Sequence, residues 1–270
     1  MRPMQTLKEA KKSKKQVAFE KKVDELIGQA NKLSDDAVRR VYTLLNDCRK
    51  RIITAVAETE WETHRLNELK SAVESSINEF AREYGVDMRA WQRDGWDLGV
   101  LSVDEPLKSA RIELNLTALS TTQLEILQGY SADLVKDLTA DAIKRVNNDI
   151  ALSLLGEQSA FEAIKKIGRD LNGPSTFKTI FHRAEAIART EVNRVYSIAN
   201  YARMKQAKAS GVDIQKMWVY DHMTKYPREF HQSMHGQTKE IDEPFVSGKG
   251  NNLMYPHDPA APASETVMCK

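Results

Sequence analysis

The chain has 270 residues, of which 41% are hydrophobic and 29% are charged, and its formal net charge at pH 7 is +2. This apolar share is sufficient for a buried core, whereas the small net charge excludes recruitment of nucleic acid by overall charge alone. Two distant cysteines, Cys48 and Cys269, exclude a disulfide scaffold. No apolar stretch has the length of a signal peptide or a membrane span, so we expect no membrane partner.

The first 22 residues form a basic arm, in which eight Lys and Arg residues stand against two Glu residues. Such an arm can contact DNA phosphates or an acidic protein surface, and the alternative is a solvated terminus. The candidate contacts to DNA or to a protein partner are Lys8, Lys11, Lys12, Lys14 and Lys15.

The spacing of apolar residues predicts long helices over residues 34–84. Ser34 is a candidate N-cap, and Gly85 is a candidate C-cap. Steps of three and four residues are typical of coiled coils, and the pattern is interrupted near Trp61. Its positions are Val38, Val41, Leu45, Cys48, Ile52 and Ala55, and then Leu66, Leu69, Val73, Ile77, Phe80 and Tyr84. On this spacing Cys48 belongs to the core.

Residues 86–120 interrupt the helical periodicity. Trp91, Gly95, Trp96, Gly99 and Pro106 predict a connector that packs through its two tryptophans. We therefore divide the chain into a basic arm (1–22), an extended helical region with this connector (23–120) and a C-terminal domain (121–270).

The C-terminal domain is predicted to contain four helices, over residues 123–138, 139–155, 159–171 and 175–210. A strand over 216–220 would then place Trp218 and Tyr220 on the opposite side from Met217 and Val219. Many Pro and Gly residues predict loops after this strand. The expected fold class is mainly α, with long N-terminal helices and a C-terminal helical domain that carries a small, loop-rich α+β portion.

The densest polar stretch of the sequence runs from Asp221 to Gln237 and allows three interpretations. In the first, His231 and His235 share one face of a helical turn and bind zinc together with His257 or Cys269. The sequence lacks the Glu of a His-Glu-x-x-His motif, so this signal is weak.

A second interpretation is catalysis, with His222 or His231 as a general base, Asp221 orienting it and Arg228 stabilising an anion. The sequence offers no nucleophile, no phosphate-binding glycine loop and no paired-carboxylate metal motif to complete such a site, so we predict no enzyme. In the third interpretation, which we favour, polar side chains satisfy the backbone of a loop-rich fold. This structural cluster comprises Asp221, Thr224, Arg228, His231 and Gly236.

Several short motifs occur in a fixed order over residues 186–270. They begin with the segment 187–196, in which Arg189, Glu191 and Asn193 stand out, and with Trp218 to Asp221. They continue through Thr224, Arg228, His231, Gly236-Gln237, Glu243-Pro244-Phe245, Tyr255-Pro256, Asp258-Pro259, Ala261-Pro262 and Glu265-Thr266. This order resembles the Mu F-like head-morphogenesis family of tailed phages. Two departures are that Lys225 follows Thr224 where the family has Arg, and that the chain reads Met268-Cys269-Lys270 without a second cysteine.

The resemblance implies a phage minor head protein that acts in procapsid assembly and in DNA packaging or release. Its implied partners are the portal protein and the major capsid or scaffolding protein, with double-stranded DNA as a further candidate. The implied location is the virion head or portal vertex, with the host bacterial cytoplasm during assembly. Two alternatives stay open, which are a metal-dependent nuclease or phosphoesterase and a coiled-coil adaptor. No cofactor is expected unless zinc is bound.

Overall fold

The computed structural model describes residues 13–58, 65–155, 159–168, 174–220 and 228–268. The helices are α1 (Lys14–Glu58), α2 (Leu66–Ser109), α3 (Thr122–Leu155), α4 (Ala160–Ile167), α5 (Thr176–Ala209), α6 (Glu229–Gln232) and α7 (Ala263–Thr266). The strands are β1 (Gln215–Met217), β2 (Thr238–Glu240), β3 (Phe245–Val246) and β4 (Asn252–Leu253). Within these residues β1 pairs with β2 and β3 pairs with β4, both antiparallel. The predicted fold class is confirmed.

Five helices build the bundle, and α2 contacts α1, α3 and α5. The main core is a single cluster to which α1, α2, α3, α4 and α5 all contribute. It includes the apolar positions that define the coiled-coil-like spacing, such as Val41 and Cys48 in α1 and Val73 and Phe80 in α2. The seam of α1 and α2 is therefore covered by other helices of the same chain. The domain boundaries stay a prediction. No helix within the described residues could span a membrane.

The predicted start of the first helix at Ser34 is wrong, because α1 begins twenty residues earlier at Lys14. Leu26 and Ala30 extend the buried stripe toward the N-terminus at helical spacing, and Ser34 itself is buried. Ser34 therefore lies inside the helix. Sequence propensity favours a cap at serine, but the packing of the preceding turns extends the helix through it.

The predicted C-cap at Gly85 and the irregular connector after it are also wrong, since α2 continues to Ser109. Its glycines permit close helix packing: a Cβ added to Gly99 would lie 2.5 Å from the carbonyl oxygen of Tyr196 in α5. Trp96 is buried, which agrees with the prediction that this segment packs through its tryptophans. Glycine here allows close approach between helices and does not end one.

The two helices predicted over 123–138 and 139–155 form one helix, α3. The hydroxyl of Thr139 donates a hydrogen bond to the carbonyl oxygen of Val135 at 2.6 Å, so Thr139 bonds within the helix and does not cap a new one. The helix predicted over 159–171 is shorter and ends at Ile167, where Gly168 has a left-handed φ of +120°.

The prediction for α5 is confirmed at both ends. The side chain of Ser175 accepts a hydrogen bond from the backbone N–H of Lys178 at 3.2 Å, as expected of an N-cap. The helix ends at Ala209, and Gly211 follows with a φ of +96°. This turn reverses the chain into β1 and places the loop-rich C-terminal part beside α5.

Candidate functional site: a buried His–Glu network beside helix α5

The candidate site begins at strand β1, which ends at Met217, so the strand predicted over 216–220 is wrong at its C-terminal end. The predicted alternation of sides nevertheless continues through Tyr220. Trp218 and Tyr220 are buried, and Met217 and Val219 are exposed. The Trp218 ring centroid lies 5.3 Å from that of Phe245 and 5.8 Å from that of His231. Trp218 thus provides an apolar surface beside the polar residues of the following loops.

Glu265 is the centre of the polar network and is fully buried. Its Oε2 lies 2.8 Å from Nε2 of His231. Its Oε1 accepts hydrogen bonds from the Ser247 hydroxyl at 3.0 Å and from the Asn251 amide at 2.7 Å. Both carboxylate oxygens are therefore occupied by donors that belong to other loops.

The environment fixes the charges of this network. Burial by itself would raise the pKa of Glu265, but the hydrogen bonds from Asn251, His231 and Ser247 outweigh it and lower the pKa. For His231, burial is the largest effect and lowers the pKa, while Glu265 opposes it. The favoured state is a neutral imidazole that donates its Nε2 proton to a carboxylate.

Arg228 immediately precedes α6 and ties it to the C-terminal segment. Its guanidinium donates hydrogen bonds to the carbonyl oxygen of Ser264 at 2.8 Å and to the carbonyl oxygen of Val267. These carbonyls belong to α7 and the residue that follows it. Arg228 therefore stabilises backbone oxygens here, in place of the anion that the catalytic interpretation required.

His235 and Gly236 shape the turn that leads into β2. The Nδ1 atom of His235 accepts a hydrogen bond from the backbone N–H of Tyr220 at 3.2 Å. Gly236 has a left-handed φ of +78°, and its N–H donates to the carbonyl oxygen of Trp218 at 2.9 Å. A residue with a side chain is disfavoured at this φ, which explains the Gly of the motif.

The zinc interpretation needed His231 and His235 on one helical face, but α6 ends at Gln232 and His235 lies in the turn beyond it. The two imidazoles bond instead to Glu265 and to the backbone of Tyr220. The described part of the chain holds no group of three or more His, Cys, Asp or Glu residues that suits a metal ion. Cys269 lies outside the described residues, so the full set with Cys269 stays a prediction.

His257 is a buried side chain of the site that leaves one ring nitrogen unpaired. It is 3% exposed, has a left-handed φ of +62°, and its Nδ1 has no hydrogen-bond partner among the described residues. Burial first, and then the positive charge of Arg194, lower the pKa of His257 to about 3. A cavity of about 30 Å³ is lined by His257, Glu265, His231, Trp218 and Tyr220, among others. It has room for about one water molecule.

Helix α5 carries the motif residues Arg189, Glu191 and Asn193 and connects the site to the bundle. Arg189 bonds to Asp35 of α1 at 2.9 Å. Glu191 and Arg194 form a buried ion pair, with Nη1 of Arg194 2.7 Å from Oε1 of Glu191. Burial raises the pKa of Glu191, and Arg194 opposes this effect. Asn193 lies half-buried on the same helix.

Two further contacts join the C-terminal segment to α5. The Thr190 hydroxyl accepts a hydrogen bond from the backbone N–H of Met268 at 3.1 Å. Lys216 of β1 is buried, with Nζ 2.8 Å from the Met254 carbonyl oxygen and 5.2 Å from the ring centroid of Tyr201 in α5. Burial lowers the pKa of Lys216 to about 8. The motif residues of α5 and of the C-terminal loops thus belong to one packed unit.

The structure brings Arg228, His231 and Gly236 of the predicted cluster together. Asp221, His222 and Thr224 lie outside the described residues, as do Lys8, Lys11 and Lys12 of the basic arm. Lys14 and Lys15 occupy the exposed first turn of α1. Sequence reasoning missed Ser247, Asn251 and the central role of Glu265. The signal that could have found them is the turn sequence from Ser247 to Asn251, which has glycines at 248 and 250.

The arrangement has little capacity for covalent chemistry. The Ser247 hydroxyl donates to Glu265 and accepts from the backbone N–H groups of Lys249 and Asn251, each at 3.3 Å. His231 directs its Nε2 to the same carboxylate, so this nitrogen is not available to activate the serine. The geometry is that of a buried hydrogen-bond network that connects the loops.

Comparison with known proteins gives two matches and one negative result. Residues 144–270 match the family model of Phage Mu F like proteins, described as "Phage Mu protein F like protein". The chain is also 28% identical over 131 residues to NAD(+)--arginine ADP-ribosyltransferase EFV of Enterococcus faecalis. That match spans 47% of this chain and 24% of the transferase, so the chain spans about a quarter of the length of this relative. No solved structure matches significantly.

Proposed function

We propose that this chain, whose residues 144–270 match the family model of Phage Mu protein F like proteins, is a minor head protein of a tailed bacteriophage that acts by binding. Its role would lie in procapsid assembly and in the packaging or release of DNA. The matched region begins within α3 and includes α5 and the whole buried network. The proposal places the protein in the virion, at the head interior or portal vertex.

The observation that carries a binding role is the use of the polar motif residues inside the fold. Arg228 bonds to backbone carbonyls, His231 bonds to Glu265, and Gly236 permits a left-handed turn. These residues connect α6, α7 and the intervening loops. A fold braced in this way presents a rigid surface, which favours recognition of a neighbouring protein.

The proposed partners are the portal protein and the major capsid or scaffolding protein. The experiment that tests this is affinity purification of a tagged chain from phage-infected cells, followed by identification of co-purifying proteins and electron microscopy of the heads. We expect portal and capsid proteins to co-purify. Virions and procapsids that lack the chain entirely would overturn the proposal.

Contact with DNA through the basic arm is a separate part of the proposal. A variant with Gln in place of Lys8, Lys11, Lys12, Lys14 and Lys15 should bind DNA more weakly. It should also show a shallower dependence of affinity on salt, by up to about 0.9 in logarithmic slope for each phosphate contact that is lost. The matched control changes five exposed lysines elsewhere to Gln, which are Lys50, Lys136, Lys144, Lys165 and Lys166. An equal slope in both variants would refute the contact.

Catalysis is the competing proposal, and the transferase relative gives it a specific form. Sites that enclose a molecule the size of a nicotinamide dinucleotide measure roughly 300–1,000 Å³, whereas the cavity beside His231 has about 30 Å³. We therefore do not assign ADP-ribosyl transfer to this cavity. The assays are transfer of labelled ADP-ribose from NAD to arginine substrates and metal-dependent cleavage of DNA. Either activity, if it were lost in His231→Ala, would replace the binding role.

A further inference from the structure

Residues 215–219 comprise β1 and the two residues that follow it, and Trp218 continues the pairing beyond the end of the strand. Within the described residues this stretch has one paired edge and one open edge. On the paired edge, the N–H of Trp218 donates to the carbonyl oxygen of Gln237, and the carbonyl of Trp218 accepts from the N–H of Gly236, both at 2.9 Å. Backbone groups alternate in direction along a strand, so those of Met217 and Val219 point away from β2. No described residue is hydrogen-bonded to them.

The side chains beside this open edge are apolar and exposed. Met217 is 59% exposed and Val219 is 46% exposed, and Thr238 lies opposite Met217 in the pairing register. Edge strands are commonly protected against added strands by an outward-facing lysine or a proline. Lys216 is the only charged residue between positions 215 and 219, and it turns inward to the Met254 carbonyl oxygen. The usual protection is therefore absent from these positions.

The open edge is also held rigidly. Trp218 packs against Phe245 and His231, and Lys216 lies between the rings of Tyr201 and Phe245, 5.2 and 5.0 Å from their centroids. A rigid edge loses little conformational entropy when a further strand pairs with it.

From this geometry we propose that the open edge of residues 215–219, at Met217 and Val219, accepts an extended segment of another head protein as an added strand. The inference rests on the proposed function for the identity of that protein. Met217, Val219 and Thr238 are uncharged, and Glu240 on the same face is paired with Lys208 at 3.1 Å. The segment that fits beside them is therefore uncharged and apolar at alternate positions.

The size of the edge decides between a neighbouring head protein and a second copy of this chain. A stable dimer buries roughly 1,200–2,000 Å². A five-residue edge with two exposed apolar side chains is too small to supply that area by itself. It can, however, position a segment of a protein that is already held in the head by other contacts.

The test uses the full chain and heads assembled in cells that lack it. Met217→Lys adds a charge on the exposed face, and Val219→Pro removes the outward N–H while the bonds between β1 and β2 stay intact. The matched control is Val86→Lys, a change of a 54% exposed valine on α2. Circular dichroism and thermal midpoints identify any variant that fails to fold. If one edge variant fails to fold, the other still tests the inference.

We expect the parent and Val86→Lys to bind the heads equally and each edge variant to bind about tenfold more weakly. Val219→Pro removes one backbone hydrogen bond to the added strand, and Met217→Lys places a charge against an apolar segment. In hydrogen exchange on the bound chain, the amides of Met217 and Val219 should become protected. Those of Lys216 and Trp218 should be protected in the free and the bound chain alike. This alternation is the signature of strand addition, and apolar contact alone would not produce it.

Three outcomes would overturn the inference. If both edge variants bind heads as tightly as the parent, strand addition at this edge is refuted and the proposed function still stands. A parent that forms dimers in solution, with Met217→Lys monomeric, would identify a second copy as the occupant. A parent that does not bind heads at all would overturn the proposed function together with this inference.

Discussion

The imidazole Nε2 of His231 lies 2.8 Å from Oε2 of Glu265, and 34 positions separate the two residues in the chain. Ser247 and Asn251 bond to the other carboxylate oxygen. One buried carboxylate thus holds α6, the turn after β3 and α7 together. The stability of the C-terminal part should depend on it.

Replacement of His231 by Ala should destabilise the fold by about 3 kcal/mol. The change leaves a cavity beside Trp218 and removes one donor from a buried carboxylate. Urea denaturation, followed by tryptophan fluorescence, measures the free energy of unfolding. The control is His182→Ala, because His182 lies on the exposed surface of α5. Similar unfolding midpoints for both variants would show that the network contributes little.

The free energy of unfolding should fall as pH decreases below about 6.5. In the folded chain the pKa of His257 is about 3, while in the unfolded chain it has the ordinary value near 6.5. Between these two values the unfolded chain binds the proton and the folded chain does not, so stability that is present above pH 6.5 is lost on acidification. His231, whose pKa is also lowered, acts in the same direction.

From pH 6.5 to pH 5 the loss due to His257 should be of the order of 2 kcal/mol. The measurement is the unfolding free energy of the parent and of His257→Gln as a function of pH. The variant should have a weaker pH dependence than the parent. Identical slopes would mean that His257 is accessible to protons in the folded chain.

Substitution of Gly99 by Ala should destabilise the bundle by about 2 kcal/mol. The new Cβ would lie 2.5 Å from the carbonyl oxygen of Tyr196 and 2.8 Å from the Cβ of Ala199, so α2 and α5 must move apart. Gly85→Ala in the same helix is the matched control. No atom lies within 4 Å of a Cβ at that position, and the higher helix propensity of Ala should stabilise the chain by about 0.5–1 kcal/mol. Thermal unfolding should show a lower midpoint for Gly99→Ala and a higher midpoint for Gly85→Ala than for the parent. A shift in the same direction for both variants would contradict the packing described for Gly99.

Arg203→Met should cost about 2 kcal/mol because Arg203 is a buried junction between three segments. Its Nε and Nη2 lie 2.7 and 2.6 Å from the two carboxylate oxygens of Asp104 in α2, and its Nη1 donates to the Thr117 carbonyl oxygen at 2.8 Å. Removal of the guanidinium takes both donors from the Asp104 carboxylate, while the Thr117 carbonyl oxygen keeps the Gln206 amide at 3.0 Å.

The control for Arg203 is Arg40→Met, which removes an exposed arginine that pairs with Glu83 and Asp87 of α2. Exposed pairs contribute up to roughly 1 kcal/mol, so its effect should be clearly smaller. Chemical denaturation of both variants provides the comparison. Equal losses would show that burial does not distinguish the two arginines.

The sequence by itself determined the helical character of the chain, the apolar seam through Val41, Cys48, Val73 and Phe80, and both ends of α5. It also determined that Trp218 and Tyr220 lie on the opposite side from Met217 and Val219. These features depend on periodicity and on local hydrogen bonds, such as the cap at Ser175, and both can be inferred from neighbouring residues.

Tertiary structure decided where the longest helices begin and end. Ser34 and Gly85 have the local character of caps, yet the burial of the adjoining turns against other helices extends α1 and α2 through them. Tertiary structure also decided the site. His231 and Arg228 stood out in the sequence because they are close together in a polar stretch. Their partners Glu265, Ser264 and Val267 lie in a distant segment that only the folding of the loops brings within hydrogen-bonding distance.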